Sequence, residues 1–195
     1  MQNRIPLDEG LYYHIYNHAN GQDDFFKDKN DYQNFLNRYV KYIVPICNTF
    51  AYCLMPNHFH FFVQVKPEND LIKILKPNQE TNKVDSKTIS YCFSHCFNGY
   101  TQAFNKKYHR NGNLFKSTFK RKPVKTEKYF VQLVHYIHSN PVKDGFVEKI
   151  EQWEYSSYNS FFSNNSDKFI RKGTVIEYFG DIENFKFIHQ QPFNL

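Results

Sequence analysis

The sequence predicts an α+β fold built on an antiparallel sheet. Three observations predict it. Apolar residues alternate over four short runs, they recur at helical spacing over three longer ones, and the two kinds of run interleave along 195 residues. A chain of this length forms one ordinary domain with a real core and room for an appendage. With 21 Phe and 15 Tyr, that core is expected to be aromatic.

Residues 11–17 alternate and read as a first strand, with Tyr12, His14 and Tyr16 on one face and Leu11, Tyr13 and Ile15 on the other. After a loop at Gly21, Tyr32, Phe35, Leu36, Tyr39, Val40 and Ile43 recur as a helical stripe. Asp28 or Asn30 can cap this helix, and Pro45 stops it. Residues 48–55 form a second strand, which Pro56-Asn57 turns directly into a third. There Phe59, Phe61, Val63 and Val65 share the core face, while His58, His60, Phe62 and Gln64 share the other. Residues 66–87 are polar, contain Pro67 and Pro77, and read as a surface excursion with a short helix near 71–75. Ser86 is placed to cap a long helix carrying Ile89, Cys92, Phe93, Cys96, Phe97, Tyr100 and Phe104. Asn111-Gly112 signals a turn, and 118–124 a basic strand. Thr126 can cap a further helix with the stripe Phe130, Leu133, Val134 and Ile137, which Asn140-Pro141 is expected to end. The order β-α-β-β-α-β plus one helix matches a ferredoxin-like split unit, with two helices on one face of the sheet. The last helix is then free to cross the other face, where His58 and His60 point.

The net charge of +6 favours an acidic partner. It is unevenly placed: residues 106–128 hold nine Lys and Arg against Glu127 alone, so the rest of the chain is slightly acidic. Tyr108, Phe115 and Phe119 lie among these cations. Cations follow a phosphate backbone and aromatic rings stack on unpaired bases, so Lys116, Lys120, Arg121, Lys122 and Lys125 are candidate DNA contacts. A solvated basic face has the same composition. Cys47, Cys53, Cys92 and Cys96 do not form a disulfide framework, and Cys92-x-x-x-Cys96 falls in an apolar helical stripe, so core thiols are expected. With no secretory leader or long apolar run, the chain reads as cytosolic and not membrane-bound.

The chemistry concentrates in Met55-Pro56-Asn57-His58-Phe59-His60. Two imidazoles on one strand face can reach one divalent ion. On the last helix Tyr136 and Asn140 are i and i+4 and flank the apolar stripe, so they can face that pair. The hydroxyl would be a nucleophile and the amide oxygen a third ligand. His14 or His138 would be auxiliary groups or, on the favoured reading, spectators.

These motifs resemble a known family. Tyr13-His14-Ile15-Tyr16-Asn17, Met-Pro-Asn-His-Phe-His, Gly112-Asn113-Leu114-Phe115-Lys116, Tyr136-Ile137-His138-Ser139-Asn140-Pro141-Val142 and Trp153-Glu154-Tyr155-Ser156-Ser157 occur in the order seen in single-tyrosine transposases of the His-hydrophobe-His superfamily. The resemblance is nearest to the REP-associated tyrosine transposases and covers roughly residues 10–160. It implies a catalytic domain at 1–150, with 151–195 an extension packed on it or trailing from it. It implies a divalent metal, Mg or Mn, on His58, His60 and Asn140, and Tyr136 forming a 5′-phosphotyrosine link to single-stranded or hairpin DNA. It also implies a bacterial cytoplasmic protein, held at the nucleoid by its DNA, as monomer or homodimer. The chain departs from the pattern at Asn140, where related insertion-sequence enzymes carry Gln, and at His18, where Arg is frequent. Residues 161–195 match nothing in it. Two other readings stay open: a domesticated hairpin-DNA-binding protein, and a non-catalytic nucleic-acid-binding module of the same fold.

Overall fold

The computed structural model describes residues 5–21, 24–75, 84–163 and 168–193. Its centre is a four-stranded antiparallel sheet of β1 (Tyr12–His18), β2 (Cys47–Met55), β3 (His58–Val65) and β4 (Lys120–Val124), in the order β2-β3-β1-β4. Among the described residues six helices accompany it: α1 (Lys29–Tyr42), α2 (Glu68–Leu75), α3 (Ser86–Lys107), α4 (Glu127–Lys143), α5 (Lys172–Phe179) and α6 (Ile182–Gln190). None of them is long and apolar enough to cross a membrane.

Strand alternation divides the apolar residues between two cores. Tyr13, Ile15, Phe59, Phe61, Val63 and Val65 face α1 and α3, which supply Phe35, Tyr39, Phe93, Phe97 and Tyr100. On the other face Phe50, Phe62 and Met55 meet Phe130, Leu133, Val134 and Ile137 of α4, with Val175, Phe179 and Phe185 of α5 and α6. The sheet is thus covered on both sides, and the last three helices lie on the histidine side. The four cysteines are free, three of them buried.

Local signals account for most boundaries. Asp28 caps α1 in a reciprocal capping box with Asp31. The cap of α3 is Asp85, whose side chain accepts from Thr88 N at 2.8 Å; Ser86, expected in that role, is the first helical residue. Aspartate has the stronger claim because its charge also suits the positive end of the helix. Thr126 caps α4 as expected, accepting from Tyr129 N at 3.2 Å. Residues 76–83 of the polar excursion, with Pro77, lie outside the described residues.

α4 does not end at Asn140-Pro141 but runs to Lys143. Proline there removes the N–H that would serve the Ile137 carbonyl. Asn140 compensates through its own amide: Nδ2 donates to Tyr136 O at 2.9 Å and approaches Ile137 O at 3.5 Å. Both Asn140 and Pro141 are buried, so packing overrides the local preference of a residue before proline. The helix closes at Gly145, in the left-handed region with φ 75°, where Phe146 N reaches back to Pro141 O.

The free edge of β2 is covered by the chain after α4. Leu54 N donates to Tyr155 O at 2.9 Å, Ser157 N to Tyr52 O at 3.0 Å, and Trp153 Nε1 to Leu54 O at 3.0 Å. Arg171 N continues the cover, donating to Thr49 O at 2.8 Å. An otherwise unpaired strand edge is thereby satisfied.

Candidate active site

The tight β2–β3 turn sets the first half of the site. Pro56 O accepts from Phe25 N at 2.6 Å and Asn57 O from Ala19 N at 2.8 Å, so the turn is tied to two loops before His58 begins β3. β1 lies alongside in a register that sets Tyr16 opposite His60 and His18 opposite His58. His14, Tyr16, His18, His58 and His60 therefore form one continuous ring surface. His18 stacks on His58 with centroids 5.1 Å apart, and His14 on Tyr16 at 4.7 Å.

α4 lays the second half over that surface. Its stripe is spent on the sheet, which leaves Tyr136 and Asn140 at the margin beside the histidines. Tyr136 meets His60 edge-to-face at 5.4 Å and His14 at 6.0 Å. Because α4 continues past Pro141, its last turn also reaches the site: Lys143 Nζ stands 5.4 Å from the centre of the Tyr136 ring, and Asp144 Oδ2 lies 3.5 Å from His58 Nε2. Together these groups line a cavity of about 380 Å³, with Lys122 of β4 on one wall and Phe193 on another.

Burial dominates the electrostatics. It pushes His58 down to about 4, with Asp144 opposing, and His14 down to about 3, with Lys122 adding to the effect. His60 is held well below the usual range by burial and then by His14 and His58. All three are neutral near pH 7 and keep a nitrogen lone pair. Burial and then the Asp144 charge raise Tyr136, with the Asn140 side chain pulling the other way, so the hydroxyl is held as a phenol.

The hydrogen bonds decide which nitrogens are open. His58 Nδ1 is 2.8 Å from Asn57 Oδ1, an atom that only accepts, so Nδ1 carries the proton and Nε2 the lone pair. That lone pair faces the Asp144 carboxylate. Two acceptors at 3.5 Å can share a proton or a cation. His60 Nδ1 is 2.8 Å from His14 Nε2, which leaves His60 Nε2 turned away from that contact. The residues present therefore fit a divalent ion held by two imidazoles. Among the described residues no set of three His, Cys, Asp or Glu converges tightly enough to hold one, so such an ion needs other oxygen atoms. Asn140 has one: its Nδ2 is committed to the helix backbone, and Oδ1 is left to accept.

The expected residues divide sharply. Tyr136, His58, His60, Asn140, His14 and Lys122 line one cavity. His138 does not join them. It is fully buried on the far side of α4, with Nδ1 2.9 Å from His189 Nε2 and Nε2 2.8 Å from Ser157 Oγ. Two residues along a helix is a rotation of roughly 200°, so His138 faces opposite to Tyr136. The basic set is split by strand alternation. Lys120 and Lys122 project on the site face, over the rings of Tyr16 and Tyr129 at 5.9 and 4.9 Å. Arg121 points the other way, donating to Ser90 Oγ of α3 at 2.9 Å, and with Lys116 lines a separate groove beside α3. Lys125 is exposed beyond the end of β4. Sequence reasoning missed Lys143, Asp144 and Phe193. Asp144 carried a usable signal, four residues beyond Asn140. Phe193, whose ring lies 5.3 Å from that of Tyr136, carried none.

No family model matches the chain. A protein of Haemophilus influenzae that bears the name REP-associated tyrosine transposase is 29% identical over 114 residues. The match spans 57% of this chain and 58% of that protein, so the chain is compared over little more than half of its relative's length. A solved structure of a REP-associated tyrosine transposase bound to a REP hairpin superposes over 90% of this chain and 93% of its own, with a TM-score of 0.58 and 16% identity. That second likeness is one of fold. The resemblance read from the motifs is thus matched by a named relative in sequence, and the fold by a solved structure.

Proposed function

We propose that the chain is a REP-associated tyrosine transposase, a nickase and strand transferase acting on single-stranded or hairpin DNA. The observation that carries this reading is the meeting of Tyr136 with His60 at 5.4 Å, in a cavity shared with His58, Asn140 and Lys122. The strand order β2-β3-β1-β4, all antiparallel, supports a ferredoxin-like sheet, since β3 lies between the two strands that α1 joins.

A divalent ion, Mg or Mn, held by His58, His60 and Asn140 would supply Lewis acidity at the scissile phosphate. The protein does the rest. Lys122 and Lys143, on the walls of the cavity, hold the DNA strand by its charge. Tyr136 Oη attacks phosphorus in line; the new bond joins Oη to phosphorus, and the bond from phosphorus to the 3′ oxygen breaks. The phenol gives up its proton and the leaving 3′ oxygen takes one, so a 3′-hydroxyl and a 5′-phosphotyrosine result. The ester conserves the bond, and a second 3′-hydroxyl can reverse the step and join strands. A free phenol with a pKa near ~10 is a weak nucleophile, and burial makes Tyr136 weaker still, so its activation is an essential part of the site.

The test is a denaturing gel of protein incubated with a single-stranded hairpin substrate and Mn²⁺. Wild type is expected to form a covalent adduct, and Tyr136→Phe to bind the hairpin equally well but form none. An adduct that persists in the variant removes Tyr136 from the reaction.

A further inference from the structure

His14 stands in an unusual relation to the site. β1 pairs Tyr16 with His60, so His14 is the diagonal neighbour of His60 on the same face. It uses that diagonal to bring its Nε2 within 2.8 Å of His60 Nδ1, with both rings almost wholly buried. A neutral imidazole has one proton for two nitrogens. If His60 donates through Nδ1, its Nε2 keeps a lone pair. In the opposite arrangement the proton sits on Nε2 and His60 is closed to a cation. For His58 the matter is settled by Asn57, whose Oδ1 has no proton to give.

We infer that His14 does for His60 what Asn57 does for His58: its Nε2 accepts the Nδ1–H of His60, so that both ligand histidines present Nε2 to the same space. His14 is then a positioning residue, with its own proton on Nδ1 and its ring fixed by stacking on Tyr16 at 4.7 Å. It does not act as the base for Tyr136, because its Nε2 lone pair is already committed to His60. Such partners fix a ligand's tautomer and orientation. The inference rests on the metal reading above, and its test separates the two.

Mn²⁺ binding to the metal-free full chain, without DNA, is measured by calorimetry for wild type, His60→Ala, His14→Phe and His14→Gln. Phenylalanine keeps the ring packing but cannot accept; the Gln Oε1 can accept where Nε2 did. Loss of binding in His60→Ala is expected from the metal reading alone. His14→Phe is expected to weaken binding by ~10–100-fold, and His14→Gln to restore most of it. Two-bond ¹H–¹⁵N spectra of the imidazoles should show His60 protonated on Nδ1 in wild type and His14→Gln, and a mixture of tautomers in His14→Phe. Wild-type affinity and an unchanged His60 tautomer in His14→Phe, with binding abolished in His60→Ala, would leave the metal reading standing and overturn this inference. A His14→Gln protein as weak as His14→Phe, with the tautomer intact, would make His14 a ligand and also overturn it. Wild-type binding in His60→Ala would remove the metal reading, and this inference with it.

Discussion

The ring of Tyr136 stands edge-on to that of His60, with centroids 5.4 Å apart and planes 76° from each other. A contact of this kind couples Tyr136 to one histidine of the pair and not to the other. His58→Ala and His60→Ala are both expected to abolish the metal dependence of adduct formation while leaving hairpin affinity nearly intact. His60→Ala should in addition free the Tyr136 ring, seen as faster exchange of its ring signals by NMR. If the double variant gives a wild-type metal titration of adduct yield, the ion is not held by these histidines.

Asn140 has two jobs that one substitution can separate. Its Nδ2 serves carbonyls next to Pro141, and its Oδ1 is the proposed ligand atom. Asn140→Asp removes the donor and keeps an oxygen; Asn140→Ala removes both. Asn140→Ala is expected to cost about 1 kcal/mol in urea unfolding, the usual net value of such a bond, and Asn140→Asp more, because its buried carboxylate would face the Tyr136 and Ile137 carbonyl oxygens. Only Asn140→Ala should also weaken Mn²⁺ binding. Full stability in both variants would mean that the amide plays no part in carrying α4 through the proline.

How much of this was legible follows from the range of the interactions involved. The face assignment of His58 and His60 came from strand alternation alone, and the two cores confirm it. The neighbourhood of Tyr136 and Asn140 came from helical spacing. The continuation of α4 did not, because it depends on a side chain turned back to its own helix and on burial supplied by β2 and the later segments. With that turn misplaced, Lys143 and Asp144 were out of view. The basic run was legible as charge but not as a surface: Arg121 and Lys122 are adjacent in sequence and lie on opposite faces of β4. His138 lies in a motif shared with the transposases, yet it is spent on holding α6 and the Ser157 segment to α4.

That last arrangement makes acid a structural stress. Burial holds His189 down to about 3 and His138 well below its ordinary ~6.5. Below that ordinary value the unfolded chain takes up protons that the folded chain refuses, so stability falls as pH falls. Each such histidine withdraws up to ~1.4 kcal/mol per pH unit. Urea unfolding between pH 7 and pH 5 should therefore show falling stability in wild type and a shallower fall in His138→Gln, which cannot titrate. Parallel curves for the two proteins would show that His138 already carries its proton in the fold.

The split of the basic residues across β4 gives the sharpest test of where DNA runs. Lys122 lines the cavity, and Lys120 lies beside it over Tyr16, so a strand reaching Tyr136 passes both ammonium groups. Arg121 is turned toward α3 and is bonded to Ser90. Lys120→Gln with Lys122→Gln should weaken hairpin binding. The log–log salt slope should fall by roughly 0.7 for each single-strand phosphate that the protein no longer neutralises. Arg121→Gln should change stability more than salt dependence, since it unties β4 from α3 and takes away the cation over Phe119 at 4.5 Å. At saturating DNA the Lys variants should still form adduct, because Tyr136 and the histidines are untouched. Fluorescence anisotropy at several salt concentrations, with urea melts alongside, distinguishes the two faces. A slope that falls with Arg121→Gln and holds with the lysine variants would place the DNA in the groove beside α3, lined by Lys116 and Arg121, and would take the strand away from the tyrosine.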